Sequence, residues 1–467
     1  MMPATSDFRL VWISALAVHW GWRPRFFDGY REIKSNNQTE GHVHSVATGA
    51  TLMKATMVPS LLDAISELSP VEKMMCAFAR HLPAGAAFEF SLPGHPLRRA
   101  GQGLVKFRVT LHNERAVQAL KSLDEMRIGQ AYLFGDLSID GDLVAALEMR
   151  NTFTDRHPMA YLWSVYGQKL LRGQVASDAR WIAEHYDTES DFYLTFLDKK
   201  ARCYSHGYFA SDDESLESAV QRKLNTAMEA CAMQPGSRVL DIGAGWGAFT
   251  EHAGKRGVHV TSLTISSESE RYVNELIARE SLPCRVVREH FLEHRSEEPY
   301  DAIVNLGVTE HLPDYRATLK QYQRLLKPGG RVFLDACATE KKHPFSTFVS
   351  TYIWPGNTTP LVLAEYLEEL GKTPFELISL QNDRHNYLLT TQHWAMNLDR
   401  VRDEVVRRFG EVLYRRFRLY LWGCVHQFAT HEVTAYRWLL QLPTRISTDT
   451  MPARRIGWRP FRVAAKG

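Results

Sequence analysis

Apolar and polar residues follow two alternating periods through the second half of the chain. Short apolar runs, such as Val239–Ile242 and Asp301–Leu306, predict buried strands. Between these runs, stretches such as Glu268–Glu280 carry apolar residues every three or four positions, which is typical of amphipathic helices. This alternation predicts an α/β fold with a mostly parallel sheet and ligands at the carboxyl ends of its strands. Further predicted strands are 258–263, 284–288, 331–335, 375–381 and 433–442, and further helices are 214–233, 248–255 and 315–326.

The first third of the chain has a different pattern. Phe88–Phe90 and Val105–Val109 alternate apolar and polar residues as half-buried strands do, and a helical run follows Asp140. Residues 1–52 show no sustained period. The patterns divide the chain into an irregular or poorly ordered extension (1–52), a small α+β domain (53–148), a helical linker (149–182), an α/β domain (183–442) with a helical cap (344–373 and 386–428), and a basic tail (443–467).

Composition is that of a soluble globular protein, and the charge balance narrows its partners. Hydrophobic residues make up 45% of the 467 positions and charged residues 23%. The 56 basic and 53 acidic residues give a net charge of +3, which does not indicate a nucleic-acid partner. Six cysteines without a C-x-x-C pair predict reduced thiols and a cytoplasmic location. The longest early apolar run, Leu10–Trp20, is shorter than the ~20 residues that cross a bilayer.

Two clusters of basic residues bear on contact with lipid. The tail from Arg445 onwards combines arginines with Trp458 and Phe461, which favours an anionic lipid surface, with a solvated tail as the alternative. The second cluster predicts a solvated helix face, with lipid phosphates as alternative ligands. Its members are Arg407, Arg408, Arg415, Arg416 and Arg418.

A glycine-rich turn, Gly243-Ala-Gly245-Trp246-Gly247, follows the strand at Val239–Ile242. Glycine lets a ligand approach main-chain N–H groups without a Cβ atom in the way. The turn lacks the third glycine of the dinucleotide fingerprint, and Trp246 would crowd a pyrophosphate. Asp241, just before the turn, can accept a hydrogen bond from an amine. This combination is similar to the first motif of class I S-adenosylmethionine (SAM) methyltransferases, with a tight turn in another α/β protein as the alternative.

Several separated motifs accompany the glycine turn. They are Arg127–Asp142, His185-Tyr-Asp, Tyr204-Ser, Val239–Gly247, Leu263–Ser266, Leu306–His311, Tyr352–Gly356, Asn386-Tyr387 with Trp394, and Gly423-Cys424. With these motifs, the chain resembles the cyclopropane fatty-acyl-phospholipid synthases and their mycolic-acid-modifying relatives over about residues 80–442. The resemblance implies a Rossmann-like class I methyltransferase domain with a helical cap, a small N-terminal α+β domain that docks on lipid, and SAM as cofactor.

The resemblance also implies a set of cofactor-binding residues. These are Tyr204, Ser205, Asp241, Gly243, Ala244, Gly245, Thr264, Ile265, Ser269 and Leu306. The chain departs from the family at Ser269, where family members often have glutamine. The acid that reads adenine is either Glu289 or Glu293, and the residues leave this choice open.

The chemistry expected of such a site is methylation of an alkene. Because attack on the methyl group leaves a carbocation in the acyl chain, aromatic faces should stabilise it. The candidates are Tyr387, Trp354 and Phe209. Loss of a proton from the new methyl group closes a cyclopropane ring. Proton loss that leaves a methylene or a shifted alkene gives a product that a later reduction would convert to a methyl branch.

The base that takes this proton is the least certain element of the resemblance. Family members hold bicarbonate with a Glu, a His, a Tyr and two Cys positions. The chain keeps Glu310, Tyr387 and Cys424, but His206 replaces the first Cys and Asp335 replaces the His. Since an acid beside Glu310 repels an anion, we hypothesise that Asp335, with Glu310 and His206, forms a protein-supplied base. Bound bicarbonate is the alternative.

The sequence thus predicts a SAM-dependent enzyme that methylates unsaturated acyl chains of phospholipids. We expect it in the cytoplasm, attached peripherally to the inner face of the membrane, and able to form a homodimer as relatives do. Glu310 and His311 lack a third ligand at metal-binding spacing, so no metal is predicted. The alternatives are a methyltransferase for a soluble small molecule, acting on carbon or nitrogen, and a catalytically inactive lipid-binding relative.

Overall fold

The computed structural model describes residues 68–157, 190–354 and 358–444, which fold around two β-sheets. The predicted extension (1–52), the His185 motif and the tail beyond residue 444 lie outside the described residues. The same holds for residues 158–182 of the predicted linker, whereas Glu148–Thr152 forms a 3₁₀ helix.

The first unit is a four-stranded sheet with helices. Its elements are α1 (Pro70–Phe78), β1 (Ala86–Ser91), β2 (Arg98–Gly101), β3 (Leu104–Leu111), α2 (Glu114–Ser122), α3 (Glu125–Leu133), β4 (Leu137–Gly141) and α4 (Leu143–Leu147). The strand order is β2-β1-β3-β4, and β1 pairs with β3 in parallel. Phe107, Val109 and Leu111 are buried and alternate with more exposed residues, which is the pattern that predicted a strand. The Phe88 and Phe107 rings stack 5.1 Å apart in the core.

The second unit contains a seven-stranded sheet. Its strands are β5 (Arg238–Ile242), β6 (His259–Thr264), β7 (Arg285–Arg288), β8 (Tyr300–Leu306), β9 (Leu326–Ala338), β10 (Glu376–Asn382) and β11 (Thr434–Gln441). The order is β10-β11-β9-β8-β5-β6-β7. Strands β5 to β9 pair in parallel, while β11 runs antiparallel to both β9 and β10. The strand order reverses around β5, and ligands bind at such a switch point in open α/β sheets.

Helices cover this sheet and connect it to the first unit. They are α5 (Ser190–Phe196), α6 (Leu216–Ala230), α7 (Ala248–Gly254), α8 (Ser267–Glu280), α9 (Tyr315–Leu325), α10 (Thr347–Tyr352), α11 (Leu363–Leu370), α12 (Arg384–Arg400), α13 (Arg402–Phe409) and α14 (Glu411–Ala429). Helices α12 and α14 pack along each other, and α14 also packs on α3 and α4. Within the predicted cap segment, α10 packs on α3, but α11 buries Tyr366 against Trp438 in the core of the sheet.

The arginine cluster on α13 and α14 is not a uniformly solvated face. Arg415 donates to the Tyr132 and Leu137 carbonyls at 3.0 Å, and Arg418 donates to the Tyr132 hydroxyl at 3.1 Å. Their side chains are only 17% and 14% exposed. These two arginines therefore fix α14 to the first unit, because they donate hydrogen bonds to α3 and β4. Within residues 68–157, 190–354 and 358–444, no helix combines the length and apolar character needed to cross a bilayer.

Candidate active site

The glycine turn joins β5 to α7 at the carboxyl edge of the larger sheet. Gly243, Gly245 and Gly247 have φ values of 86°, 50° and 77°, in the left-handed region that favours glycine. The Gly243 N–H donates to the Leu263 carbonyl at 3.0 Å, which fixes the turn against β6. A Cβ atom at Gly243 would lie 2.4 Å from the Val308 side chain, so the close approach of these two loops requires glycine.

A cavity of about 170 Å³ lies beside this turn, and we call it the cofactor cavity. Every residue that the resemblance assigned to cofactor binding lines it: Tyr204, Ser205, Asp241, Gly243, Ala244, Gly245, Thr264, Ile265, Ser269 and Leu306. Ser269 donates its hydroxyl hydrogen to the Gly245 carbonyl at 2.7 Å and so supports the turn. Of the two candidate adenine readers, Glu289 lines the cavity and Glu293 does not, and the Glu289 carboxylate also contacts His294.

Buried charges surround the polar end of the cofactor cavity. Burial raises the pKa of Asp241 to about 7, while a hydrogen bond from Ser262 and the charge of Lys223 oppose that rise. Lys223 on α6 is fully buried and donates to the Ser205 hydroxyl at 2.5 Å. A ligand ammonium beside Asp241 would favour its ionised form, because an opposite charge at close range stabilises a carboxylate.

A second, mostly apolar cavity of about 370 Å³ meets the first, and we call it the acceptor cavity. Tyr204, Gly307 and His311 line both cavities, so the two spaces are neighbours at these residues. The predicted catalytic residues Glu310, Tyr387 and Cys424 line the acceptor cavity. Helices α3, α10, α12 and α14 supply much of its wall. Of these, α10, α12 and α14 fall within the segments predicted to form a cap, whereas α3 belongs to the first unit.

Glu310 lies in a short 3₁₀ helix, Thr309–His311, directly after β8. Its Oε1 atom accepts a hydrogen bond from the Cys337 N–H at 2.6 Å, and its buried Oε2 atom has no partner among the described residues. Burial raises the pKa of Glu310 to about 7; the Cys337 hydrogen bond opposes this rise and the Asp335 charge adds to it. The side chain therefore exchanges a proton near neutral pH, as a general base or acid does.

Tyr387 and two cysteines complete the wall beside Glu310. The Tyr387 ring is sandwiched between His206 and Phe428, with centroids 4.6 and 4.7 Å away. Burial raises the pKa of Tyr387 and of Cys337 well above their usual values, and their side chains hydrogen-bond each other. Burial also raises the pKa of Cys424 to about 12, so it stays a thiol at neutral pH. The sequence did not single out Cys337, which only the pairing of β8 with β9 brings beside Glu310.

His206 and Asp335 lie behind this wall. Both are fully buried, and neither is among the residues that line the cofactor or acceptor cavity. The His206 Nδ1 atom is 3.8 Å from Asp335 and its Nε2 atom is 3.4 Å from Asp383. Lys223 and Arg437 lie 3.9 and 3.2 Å from these two carboxylates, respectively.

This buried network affects the predicted repulsion between Asp335 and a bound anion such as bicarbonate. The repulsion expected between Asp335 and an anion near Glu310 is reduced, because the ammonium of Lys223 lies beside Asp335. The His206 hydrogen bond and the Arg437 charge hold the pKa of Asp383 below its usual value, although burial alone would raise it. The sequence analysis did not identify Lys223, Asp383 or Arg437. Arg437 pairs with Asp335 across neighbouring strands, but this pairing is known only once the sheet register is known.

Aromatic side chains face the acceptor cavity in larger number than predicted. Tyr387 and Trp354 line it as expected. Phe209 lines neither cavity, because its ring stacks on His393 at 5.6 Å. The additional aromatic lining residues near the junction are Tyr204, Trp394 and Tyr420.

His311 does not share a metal site with Glu310. Its Nδ1 atom lies 3.2 Å from the Thr358 hydroxyl, and burial lowers its pKa to about 4, so it is neutral at pH 7. Among the described residues, no group of three His, Cys, Asp or Glu side chains is arranged to hold a metal ion.

Comparison with known proteins agrees with this geometry. The sequence profile of the family described as mycolic acid cyclopropane synthetase matches residues 174–438. Cyclopropane mycolic acid synthase 3 of Mycobacterium tuberculosis is 30% identical over 268 residues, which cover 53% of this chain and 91% of that protein. Sphingolipid C9-methyltransferase of Candida albicans is 28% identical over 363 residues, 72% of this chain and 69% of that protein.

A solved structure gives the same result for the fold. The crystal structure of the mycolic acid cyclopropane synthase CmaA1, complexed with SAH and CTAB, superposes with a TM-score of 0.52 and 28% identity, covering 56% of this chain and 98% of that one. The predicted fold class and the predicted family are thereby confirmed. Because the profile matches more than half of the sequence, the chain belongs to the mycolic acid cyclopropane synthetase family of SAM-dependent methyltransferases.

Proposed function

We propose that this protein transfers a methyl group from SAM to the double bond of an unsaturated acyl chain of a phospholipid. The product is a cyclopropane ring or an unsaturated chain that carries a methylene or methyl branch. The observation that carries the proposal is the junction of the cofactor cavity with a mostly apolar acceptor cavity at Tyr204 and Gly307, with Glu310 and Tyr387 beside it. A water-poor junction favours reaction of a cation that water would otherwise capture.

SAM fits the cofactor cavity by the chemistry of the donor set. A Cβ atom at Gly245 would meet no atom closer than 3.9 Å, so a side chain there would fill free space beside the turn. Asp241 would bind the amino group of the methionine end, and Glu289 would bind the adenosine end. Tyr204 and Ser205 would flank the methionine portion. When bound, SAM supplies an activated methyl group.

The residues at the junction then act on the acyl chain. Formation of the new carbon–carbon bond would use the electron pair of the alkene as the methyl–sulfur bond of SAM breaks. The sulfur would become neutral, and a positive charge would remain on the neighbouring carbon of the chain. The face of Trp354 stabilises that charge by about 0.5–2 kcal/mol. The Tyr387 ring does not present a face to it, because His206 and Phe428 stack on both sides. The Glu310 carboxylate accepts the proton on its unpartnered Oε2 atom. Loss of a proton from the new methyl group closes the ring, or leaves a methylene when a hydride has first shifted from the methylated carbon to its neighbour. Loss of a proton from a chain carbon leaves a shifted double bond beside a methyl branch.

Bicarbonate is less suited to this donor set. The lining groups beside Glu310 are the Tyr387 hydroxyl and the thiols of Cys337 and Cys424, and neutral His311 adds no charge at pH 7. An anion next to the Glu310 carboxylate would lack a cation on the cavity wall there. We therefore propose Glu310 as the base. Activity that depends strictly on added bicarbonate would contradict this assignment.

The proposed acceptor carries its chain in a membrane, so the protein must contact lipid. Two apolar side chains of the first unit project into solvent: Leu104 is 68% exposed and Phe134 is 59% exposed. We propose that they touch the bilayer. Flotation with phospholipid vesicles should lose at least half of the bound protein in the Leu104→Ser/Phe134→Ser variant, and unchanged flotation would contradict this contact.

Mass spectrometry after reaction tests the function. Purified protein, SAM with a ¹³C methyl group and vesicles of an unsaturated phosphatidylglycerol should yield fatty acids that gain one labelled carbon. The position of the label distinguishes a ring from a branch. Sphingolipid vesicles form the second arm, because the Candida albicans relative aligns with 72% of the chain. Lipid that binds without any label transfer would overturn the proposal.

A further inference from the structure

The acceptor cavity extends far beyond the junction into the first unit. Its lining residues include Met75 of α1, Val109 of β3, Leu120 of α2 and Ala146 of α4, all of which belong to the core of the smaller sheet. The family profile begins at residue 174, so this end of the cavity lies in a part of the chain that the profile does not cover.

The wall between the two units is tightly packed. The Gln130 amide on α3 donates to the Tyr352 hydroxyl on α10 at 2.9 Å. A Cβ atom at Gly129 would lie 2.4 Å from the Phe348 ring, so α3 and α10 are as close as a glycine allows. Since Gly129, Phe348 and Tyr132 all line the cavity, its wall is continuous across the boundary between the units.

The deep end of the cavity is suited to an aliphatic group. Met75, Val109 and Leu120 are 1%, 4% and 4% exposed and offer no hydrogen-bonding side chain. The charged lining residues Glu125 and Arg150 pair with each other at 3.4 Å, and Arg150 is 30% exposed. A polar group buried at the deep end would lose its hydration without compensation, whereas a methyl end would gain from burial.

We propose that the first unit is the tail-binding half of the substrate site, in which the methyl end of the acceptor chain inserts into the core of the smaller sheet. Met75, Leu120 and Ala146 then limit the length of the chain beyond the reacting carbon. The identity of this chain as an acyl chain rests on the proposed function, but the aliphatic site itself does not.

A matched pair of variants tests the site. Ala146 and Ala119 are both 7% exposed and belong to the same core, but only Ala146 lines the cavity. Ala146→Leu should fill cavity space and leave thermal stability unchanged or raised. Ala119→Leu should lower it by a few degrees, because a leucine there overpacks a filled core.

Binding of n-alkyltrimethylammonium bromides with 10 to 16 carbons, measured by calorimetry on the full chain below micelle concentrations, reads out the site without methyl transfer. In the wild type, each added methylene should tighten binding about fourfold until the deep end is full. In Ala146→Leu the gain should stop about two carbons earlier. Ala119→Leu should follow the wild type. Equal behaviour of all three proteins, or a shift only in Ala119→Leu, would overturn the proposal.

If Ala146→Leu does not fold, a variant that enlarges the deep end of the cavity still tests the proposal. Met75→Ala should extend the gain to chains longer by about two carbons. The same variants in the vesicle assay separate this inference from the proposed function. If the chain-length dependence of binding shifts in the variants but no label is transferred, the tail site is supported and acyl methylation is contradicted. If label is transferred but all variants keep the same chain-length profile, acyl methylation is supported and the tail site is contradicted.

Discussion

The cofactor cavity and the acceptor cavity meet at Tyr204, yet the chain builds them differently. The cofactor cavity is formed largely around loops that follow neighbouring strands, so its wall combines the glycine turn with short polar side chains such as Ser269 and apolar ones such as Leu263. The acceptor cavity is formed by side chains of helices from both units, and contacts such as Gln130 with Tyr352 join residues 222 positions apart. Changes in acceptor choice therefore need not disturb cofactor binding, because the two walls share few residues.

The two cavities also use the same chemical group for different purposes. Asp241 and Glu310 are both buried acids with pKa values raised to about 7. Lys223 opposes the rise at Asp241, whereas the charge of Asp335 adds to the rise at Glu310. A carboxylate near a cation is suited to hold a ligand amine, and one near another carboxylate is suited to take up a proton.

The largest effect should follow from removing the proton acceptor of the acceptor cavity. Glu310→Gln should reduce methyl transfer by about 10²–10⁴-fold, because a positioned general base contributes that much. SAM binding, measured by calorimetry, should stay within about twofold, since Glu310 does not line the cofactor cavity. Glu293→Gln, which alters a carboxylate outside both cavities, is the control.

The pH dependence of the same variant gives a second measurement. Since only the ionised carboxylate accepts a proton, wild-type activity should fall about tenfold per pH unit below about pH 7. The folded pKa exceeds the ordinary value of 4.5, so Glu310 lowers stability as pH rises from 4.5 through about 7. At pH 8, Glu310→Gln should exceed the wild type in unfolding free energy by up to about 3 kcal/mol and match it at low pH. A constant difference would exclude the raised pKa.

The next largest effect should come from the buried network that both cavities adjoin. Lys223→Met should cost about 3–5 kcal/mol of stability, because it leaves buried carboxylates without their cation. Adding Asp335→Asn should recover part of this loss, as expected for coupled charges. Urea unfolding measures both. Lys255→Met, which removes a 46% exposed lysine paired with Glu251, should cost less than about 1 kcal/mol. Asp335→Asn alone completes the cycle, and a double-variant loss equal to the sum of the two single losses would exclude the coupling.

The contrast between the cavities explains which parts of the site the sequence predicted. Most of the predicted cofactor residues occupy short motifs at strand ends, where backbone conformation and spacing are local, and every predicted one lines the cavity. Sheet strands and most helices were predictable for the same reason, because the apolar period of each element is visible within a few consecutive residues. Helix α11 was assigned to the cap because its amphipathic pattern does not say which surface it covers.

The acceptor side depended on contacts that no local pattern records. Asp335 was a candidate base because it stands where family members have a histidine. In the structure its carboxylate lies near Lys223 and His206 and lines neither cavity. Cys337, two residues further along β9, lines the acceptor cavity instead. The first unit was predicted to dock on lipid, and its core gave no sign of a cavity, since the residues around it are those of any apolar core.

The cofactor side should respond more moderately than Glu310. Asp241→Asn should weaken SAM binding by about tenfold to a hundredfold, because it replaces a charged acceptor for the ligand amine with a neutral one. The KM for SAM should rise while the distribution of acyl-chain products stays the same. Calorimetric titration with SAM checks the affinity. A variant that binds SAM normally but changes its product chain lengths would contradict the separation of the two cavities.

The smallest effect should come from Cys424, although it lines the acceptor cavity and belongs to the predicted catalytic set. Burial raises its pKa to about 12, so it carries no thiolate that could attack a substrate or take up a proton at pH 7. Cys424→Ser keeps the size and the hydrogen-bonding capacity, and methyl transfer should stay within about threefold of the wild type. Cys231→Ser is the matched control, because Cys231 has the same raised pKa of about 12 and lines neither cavity. A loss of more than tenfold confined to Cys424→Ser would show that the thiol itself takes part in the reaction, and the acceptor cavity would then need a second proton-handling group besides Glu310.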